Sequence, residues 1–315
     1  MNSSNSNNYV IFADITCDLS PEVRDRFGVD GYLKSYMSTP DSDEVEGRLD
    51  LSDEALDAFY SSLKANKNAY KTAAPSIDEI AAYYETFLKQ GKDILALSIS
   101  SALSATYALM LSAKEAVSKK YPDRKVIIVD SMKFSVALGL LTIKACQLRE
   151  AGCTIEQNAA TLEKAKREIH QMGSVDDLFW VASKGRISHA QAFFGSVAGI
   201  KPMGDFDSNG MVTVLAKVSG YEKVYKTTVE YIKKTIQPAS EQIVFVAHSA
   251  RRKQAEVLAA RIKEEVKPKE VIISTIYPMS GINAGPGLVA AYYFGTEITD
   301  LKREKEIINK IVSTL

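Results

Sequence analysis

Four short polar clusters each follow or interrupt an apolar run: Thr16-Cys17, Thr72-Ala-Ala-Pro-Ser76, Ser98 to Thr106 (SISSALSAT) and Asp130-Ser131. Hydroxyls and amide N–H groups are neutral donors, so such clusters bind an anion without titrating, and a helix start adds about half a unit of positive charge. In open parallel sheets, ligands settle at the carboxyl ends of strands, where helix N-termini are exposed. A crevice of this kind suits one small anionic head. Each hydroxyl also has a purely structural reading, because Ser and Thr cap helices routinely. A further cluster, Gly281-Ile-Asn-Ala-Gly-Pro-Gly287, follows an apolar strand. It reads as a turn that opens a helix and lets backbone approach a ligand.

Most enzyme classes are disfavoured by what is missing. The sequence contains no G-x-x-x-x-G-K-[ST], G-x-S-x-G, H-E-x-x-H or C-x-x-C, and the glycine cluster is not the dinucleotide G-x-G-x-x-G. No metal site and no catalytic residue is expected. The three histidines are His170, His189 and His248; His170 reads as a solvated helix residue, and His248 ends a strand before Ser249. Thirty-nine basic and 39 acidic side chains cancel, so no global field attracts nucleic acid. Basic side chains gather at Lys184-Gly-Arg186 and Arg251-Arg-Lys253, either as solvated charge or as a face for an acidic partner. Cys17, Cys146 and Cys153 fit a reducing, cytoplasmic setting. Residues 1–8 read as a disordered tail without the apolar core of a secretory signal. The longest apolar stretch, Phe134 to Ile143, is about half the ~20 residues that a membrane-spanning helix needs.

The elements that must position these clusters follow from periodicity. Tyr9 to Asp14, Asp93 to Ile99 and Lys125 to Asp130 are continuously apolar, as parallel strands covered on both faces are. Gly31 to Met37 is a further candidate strand and Ser38 to Asp50 a surface loop. Ser20-Pro21, Ser52, Ser76-Ile-Asp-Glu79 and Thr154 to Gln157 are helix starts, and Ile155, Ala159, Leu162 and Ile169 share one helix face. Asp177 to Ser183, Gly199 to Met203 and Met211 to Ser219 read as strands, with Asp207 to Gly210 as a turn. Ile243 to Ala247 and Val271 to Ile276 are strands, and Gly287 to Phe294 reads as the last apolar helix. With 315 residues, two domains are expected: a parallel-sheet α/β domain over residues 9–170, then an α/β domain with a mixed or antiparallel sheet over 171–315.

Taken in order, Ala13 to Leu19 (ADITCDL), TAAPS, ISSALSATY, Val129-Asp-Ser131, Lys184 to Ser188 (KGRIS), Ile200-Lys-Pro202 and Ala284 to Gly287 (AGPG) resemble the DegV family over Tyr9 to Phe294. The resemblance implies a two-domain α/β protein that holds a long-chain fatty acid between its domains, without cofactor. It also implies that in bacteria the carrier presents this ligand to a separate ATP-dependent kinase subunit. By position it assigns the carboxylate to Thr72, Ser100, Ser101, Ser104, Thr106 and Ser131, with Asn283, Ala284 and Gly285 from the second half. In the carrier reading the cations Lys184, Arg186, Arg251 and Arg252, found above from the sequence itself, serve as the face that binds the kinase partner. The chain departs from the family pattern at Ala73, Ala74 and Ala105, in the S-K-G-R-I-S segment, and at Asn283, where a histidine is usual. An amide donates a hydrogen bond but cannot become cationic. Two rival readings share the residues: an enzyme for a small acyl or phosphate substrate assisted by His248, Asp14 or Asp130, or a protein-interaction module working through the four cations.

Overall fold

The computed structural model describes residues 8–187 and 199–315; His189 and the Ser188 of KGRIS lie outside them, as does most of the N-terminal tail. The chain forms two compact units. One comprises the described residues up to Asp50 together with Lys71–Lys166, and the other comprises those of Leu51–Tyr70 and Arg167–Leu315.

In the first unit, strands β1 (Tyr9–Asp14), β2 (Gly31–Leu33), β6 (Asp93–Ser98) and β7 (Val126–Asp130) form a parallel sheet in the order β2-β1-β6-β7. Every residue of β1 is buried, so its unbroken apolar run has helices over both faces. Helix Ile77–Leu88 puts Ile80, Tyr84 and Leu88, one helical stripe, on Phe12 and Met110. Ser76 and Glu79 close the capping box that starts this helix, and Thr154 with Gln157 closes another ahead of helix Ile155–Ala165. Helix Val136–Glu150 takes up most of the apolar stretch that begins at Phe134, and ten of its residues are buried.

Two expectations fail here. Gly31 to Met37 is not one strand: β2 stops at Leu33, and β3 (Tyr36–Thr39) pairs with β4 (Ser42–Glu46) and β5 (Lys71–Ala73) in a separate antiparallel sheet. The supposed loop from Ser38 is therefore a hairpin, its turn closed by Thr39 Oγ1 accepting from the Asp41 and Ser42 amides.

The second unit holds a mixed six-stranded sheet, ordered β10 (Val212–Ser219), β9 (Ile200–Phe206), β8 (Ile169–Ser174), β13 (Val289–Phe294), β11 (Ile243–His248) and β12 (Glu270–Thr275). Only β11 and β12 pair in parallel; the other neighbours are antiparallel. The last apolar run is thus a strand between β8 and β11 rather than a helix. Asp177 to Ser183 is the reverse case. The Asp177 carboxylate accepts from the Trp180 N–H and starts helix Leu178–Ser183. Helix Ile155–Ala165 ends before Ile169, which belongs to β8.

His170, expected to be solvated, has no exposed surface: Nδ1 faces Asp205 Oδ2 at 2.6 Å and Nε2 the Thr296 carbonyl at 2.8 Å. A side chain on a strand covered on both faces has no route to water, and β8 is buried throughout. Tyr60, on helix Asp53–Ala65, donates its hydroxyl to the Ile276 carbonyl at 2.6 Å and lies against Gly281, which ties this early helix to the second unit.

Candidate functional site

The carboxyl ends of β1, β6 and β7 lie side by side, and the loops leaving them carry Thr16, Ser98 to Thr106 and Asp130 to Ser135. The turn after β6 is pinned from both flanks. Ile99 N–H donates to Asp14 Oδ2 at 2.5 Å, Ser100 N–H to the Lys133 carbonyl at 2.8 Å, and Ser101 N–H to Asp130 Oδ1 at 3.2 Å. The following amides turn inward as well: Ala102 donates to Ser100 Oγ, and Leu103 and Ser104 donate to the Ser100 carbonyl. The backbone donors of this turn, expected to face a ligand, are already used, so side-chain hydroxyls are what the turn offers. Helix Thr106–Lys120 begins without a side-chain cap, with Ala105 at its N-cap.

The hydroxyls divide by exposure. Ser101 is exposed, Ser104 and Thr72 are half-buried, and Ser100, Thr106 and Ser131 are buried. Ser104 and Thr106 share a hydrogen bond of 2.9 Å. Ser131 donates to the Lys133 carbonyl and accepts the Lys133 N–H, both at 3.1 Å, a closed local turn that leaves its hydroxyl proton spent. Thr72 sits on β5, opposite Met37, in the small sheet.

Sequence reasoning named Asp14 only as an aid to the enzyme reading and missed Asp18 and Lys133. Asp14 is 1% exposed and accepts from Thr16 N–H at 2.9 Å and Thr16 Oγ1 at 2.5 Å besides Ile99; burial, only partly offset by these bonds, raises its pKa. Asp18, fully buried, accepts from Ser135 Oγ at 2.6 Å. Lys133 is 2% exposed. The backbone is unusual at the same edge, since Asp18, Met132 and Ser135 have φ of 50°, 54° and 55°. Non-glycine residues in this region cost about 1–3 kcal/mol each and tend to gather where structure serves a site. Only the position of these residues at strand ends could have signalled them.

Asn283, Ala284 and Gly285 belong to the second unit. They do not open a helix, as expected, but close one: helix Pro278–Ala284 ends at Gly285. The Asn283 amide donates back to the Met279 carbonyl at 3.3 Å. The glycines let neighbouring protein approach closely. A Cβ on Gly285 would stand 2.7 Å from the Trp180 ring, and one on Gly287 2.5 Å from the Asp176 side chain. Ser249 completes the arrangement by donating to the Gly285 carbonyl at 2.7 Å and accepting from Leu288 N–H at 2.9 Å.

The four cations expected on a docking face have partners inside this unit. Lys184 donates to the Tyr70 carbonyl at 2.9 Å, Arg186 to the Lys184 carbonyl, and Arg252 to Asp53 at 2.7 Å. Arg251 grips Asp176, which also accepts from Lys201 at 2.5 Å and Tyr221 at 2.8 Å. Burial would raise Asp176, but the bonds from Lys201 and Tyr221 and the charge of Arg251 outweigh it and lower its pKa. An open cleft of about 800 Å³ lies above this knot, walled by Lys64, Lys67, Trp180 and Pro286. Beside it, His248 is 7% exposed, and burial followed by the charge of Arg252 pushes its imidazole down to about 4. His248 is a neutral acceptor for Arg251 N–H, at 3.4 Å.

Among the described residues, no group of three or more His, Cys, Asp or Glu could hold a metal, and no helix is long and apolar enough to cross a membrane.

Comparison with known proteins agrees with this architecture. The family model described as "Uncharacterised protein, DegV family" matches residues 8–296. A DegV domain-containing protein of Clostridium perfringens is 32% identical over 289 residues, covering 91% of this chain and 97% of its own. Among solved structures, a DegV family protein from Thermus thermophilus, described by its fatty acid binding, superposes with a TM-score of 0.80 at 23% identity, over 92% of this chain and all of that one. A stearic acid-binding protein from Eubacterium ventriosum superposes with a TM-score of 0.79 at 20% identity, over 91% of this chain and 98% of the other. The matched motifs, the parallel sheet followed by the mixed sheet, and a family match over nearly the whole length agree: this chain belongs to the DegV family.

Proposed function

We propose that this protein is a cytoplasmic carrier of a long-chain fatty acid and performs no catalysis by itself. The observation that carries the reading is the turn after β6. Its consecutive amides are drawn inward by Asp14, Lys133 and Asp130, while the hydroxyl of Ser101 stays exposed and the Ser104–Thr106 pair stands beside it. These are neutral donors at the carboxyl edge of a parallel sheet, chemistry suited to an anionic head. Fatty acids held by structural neighbours support the choice of ligand. Thr72 and Ser100 belong to the same head-group set, Ser131 backs it, and Asn283 with Ala284 and Gly285 is the contribution assigned to the second unit. The acyl tail lies in apolar interior.

Tail and head have different tasks. Burying about 15 methylenes at ~0.8 kcal/mol each supplies on the order of 12 kcal/mol before ordering costs, so the tail dominates affinity. A carboxylate leaving water needs two to four charge-assisted bonds merely to break even, so the head sets orientation and selectivity. A separate ATP-dependent kinase is the proposed partner for phosphorylation, with Arg252 and Lys184 on the face that meets it.

The test is organic extraction of freshly purified protein with mass spectrometry, followed by titration of delipidated protein with oleate and palmitate. Co-purified fatty acid, and affinity that falls about 3- to 10-fold on Ser101→Ala, are expected. Repeated extraction without lipid, together with no binding of either acid, refutes the carrier reading. Because Asn283 cannot titrate, affinity should stay flat between about pH 5.5 and 7.5; a steep step near pH 6.5 would contradict its place at the head.

A further inference from the structure

Strand β1 ends on a carboxylate with almost no exposed surface, and the protein incurs a desolvation cost to keep it there. Each oxygen has its own task. Oδ1 of Asp14 accepts the Thr16 N–H and hydroxyl, at 2.9 and 2.5 Å, which holds the short 3-10 turn Ile15–Cys17 against the strand end. Oδ2 accepts the N–H of Ile99 at 2.5 Å, across the sheet on the first residue beyond β6. Ile99 is two positions before the exposed Ser101, and the two amides after it are held by the β7 side through the Lys133 carbonyl and Asp130. The serine turn is therefore suspended between the strands on either side of β6, with Asp14 as a side-chain tether from the β1 side.

We propose that Asp14 is a positioning residue for head-group recognition: by fixing Ile99 it sets where the hydroxyls of Ser100 and Ser101 stand, without itself touching ligand. The inference rests on the fatty-acid reading. A carboxylate is required because both of its oxygens face N–H donors. An asparagine in either orientation turns an NH₂ group toward the Thr16 or the Ile99 amide, donor against donor, and releases one side of the tether. The two aspartates that bracket the turn are thereby acceptors for its backbone.

The experiment compares wild type, Asp14→Asn and Thr16→Val as full-length delipidated protein, using oleic acid and oleyl alcohol as probes of equal tail length, with thermal unfolding measured alongside. A general structural weakening lowers affinity for both probes alike, whereas a misplaced head-group turn penalises the acid selectively. Asp14→Asn should weaken oleic acid about 10-fold or more and the alcohol less than about 3-fold, so the acid-over-alcohol preference shrinks. Thr16→Val, which removes one donor to Oδ1 and keeps the carboxylate, should lower that preference about 2- to 3-fold and serves if Asp14→Asn does not fold. An unchanged preference in either folded variant, or an equal loss of both probes, overturns the proposal. Wild-type protein that binds neither probe removes the carrier reading itself, a distinct result.

Discussion

Acid should unfold the second unit through His248. Burial and the charge of Arg252 hold its imidazole at about 4, against an ordinary value near 6.5, so the folded state refuses a proton that the unfolded chain accepts. The sign follows from that difference. Above pH ~6.5 both states are neutral and the group costs nothing; below it the unfolded chain gains protonation energy, and the penalty levels off only below about pH 4. At ~1.36 kcal/mol per unit the full effect is about 3 kcal/mol, and about 2 kcal/mol is already reached at pH 5. Urea unfolding followed by tryptophan emission is the assay, because Trp180, the chain's one tryptophan, is buried in the same unit as His248. Between pH 7 and 5 the wild type should lose about 2 kcal/mol more than His248→Gln, while His170 and His189, present in both proteins, cancel. Equal losses in the two proteins would refute the assignment of a buried neutral imidazole.

Three other outcomes are expected. Gly285→Ala combines φ of 76° with a methyl 2.7 Å from the Trp180 ring and should cost about 2–4 kcal/mol in the same urea assay; near-native stability would contradict the packing described. Ser135→Ala removes a 2.6 Å hydrogen bond to the buried Asp18 carboxylate and keeps φ of 55°, so it should cost about 2–3 kcal/mol, whereas Ser135→Gly relieves the backbone and should cost measurably less; the reverse order would count against strain at this position. Cys17 and Cys146 are pushed up to about 12 chiefly by burial, so iodoacetamide at pH 8 should label half-buried Cys153 first in the native protein, as read by peptide mass spectrometry; early labelling of Cys17 would contradict this.

What could be read from the chain depended on how local the cause was. β1, β6 and β7 are unbroken apolar runs, and the starts at Ser52, Ser76 and Thr154 are side chains bonding an amide three residues on, so each was visible within a window of a few residues. Val289 to Phe294 was not, because Ala and Tyr suit a helix as well as a strand, and the choice is made by β8 and β11, some 40 or more residues distant in sequence. His170 took its buried place through Asp205 and Thr296, partners no local pattern reveals. The serine turn was found as a cluster of hydroxyls, but the occupation of its amides was hidden, since Asp14 and Asp130 lie 85 and 29 positions away along the chain.

The chain leaves the first unit after Asp50, contributes helix Asp53–Ala65 to the second and returns at Lys71, so the polypeptide passes between the units near residues 50, 70 and 166. A gene truncated to begin at 167 would encode a sheet lacking the tyrosine that plugs against Gly281 and bonds Ile276, and a gene ending at 166 would carry an orphaned amphipathic segment. Neither half is a portable module; anyone wishing to exchange or fuse these units must graft the excursion along with its host.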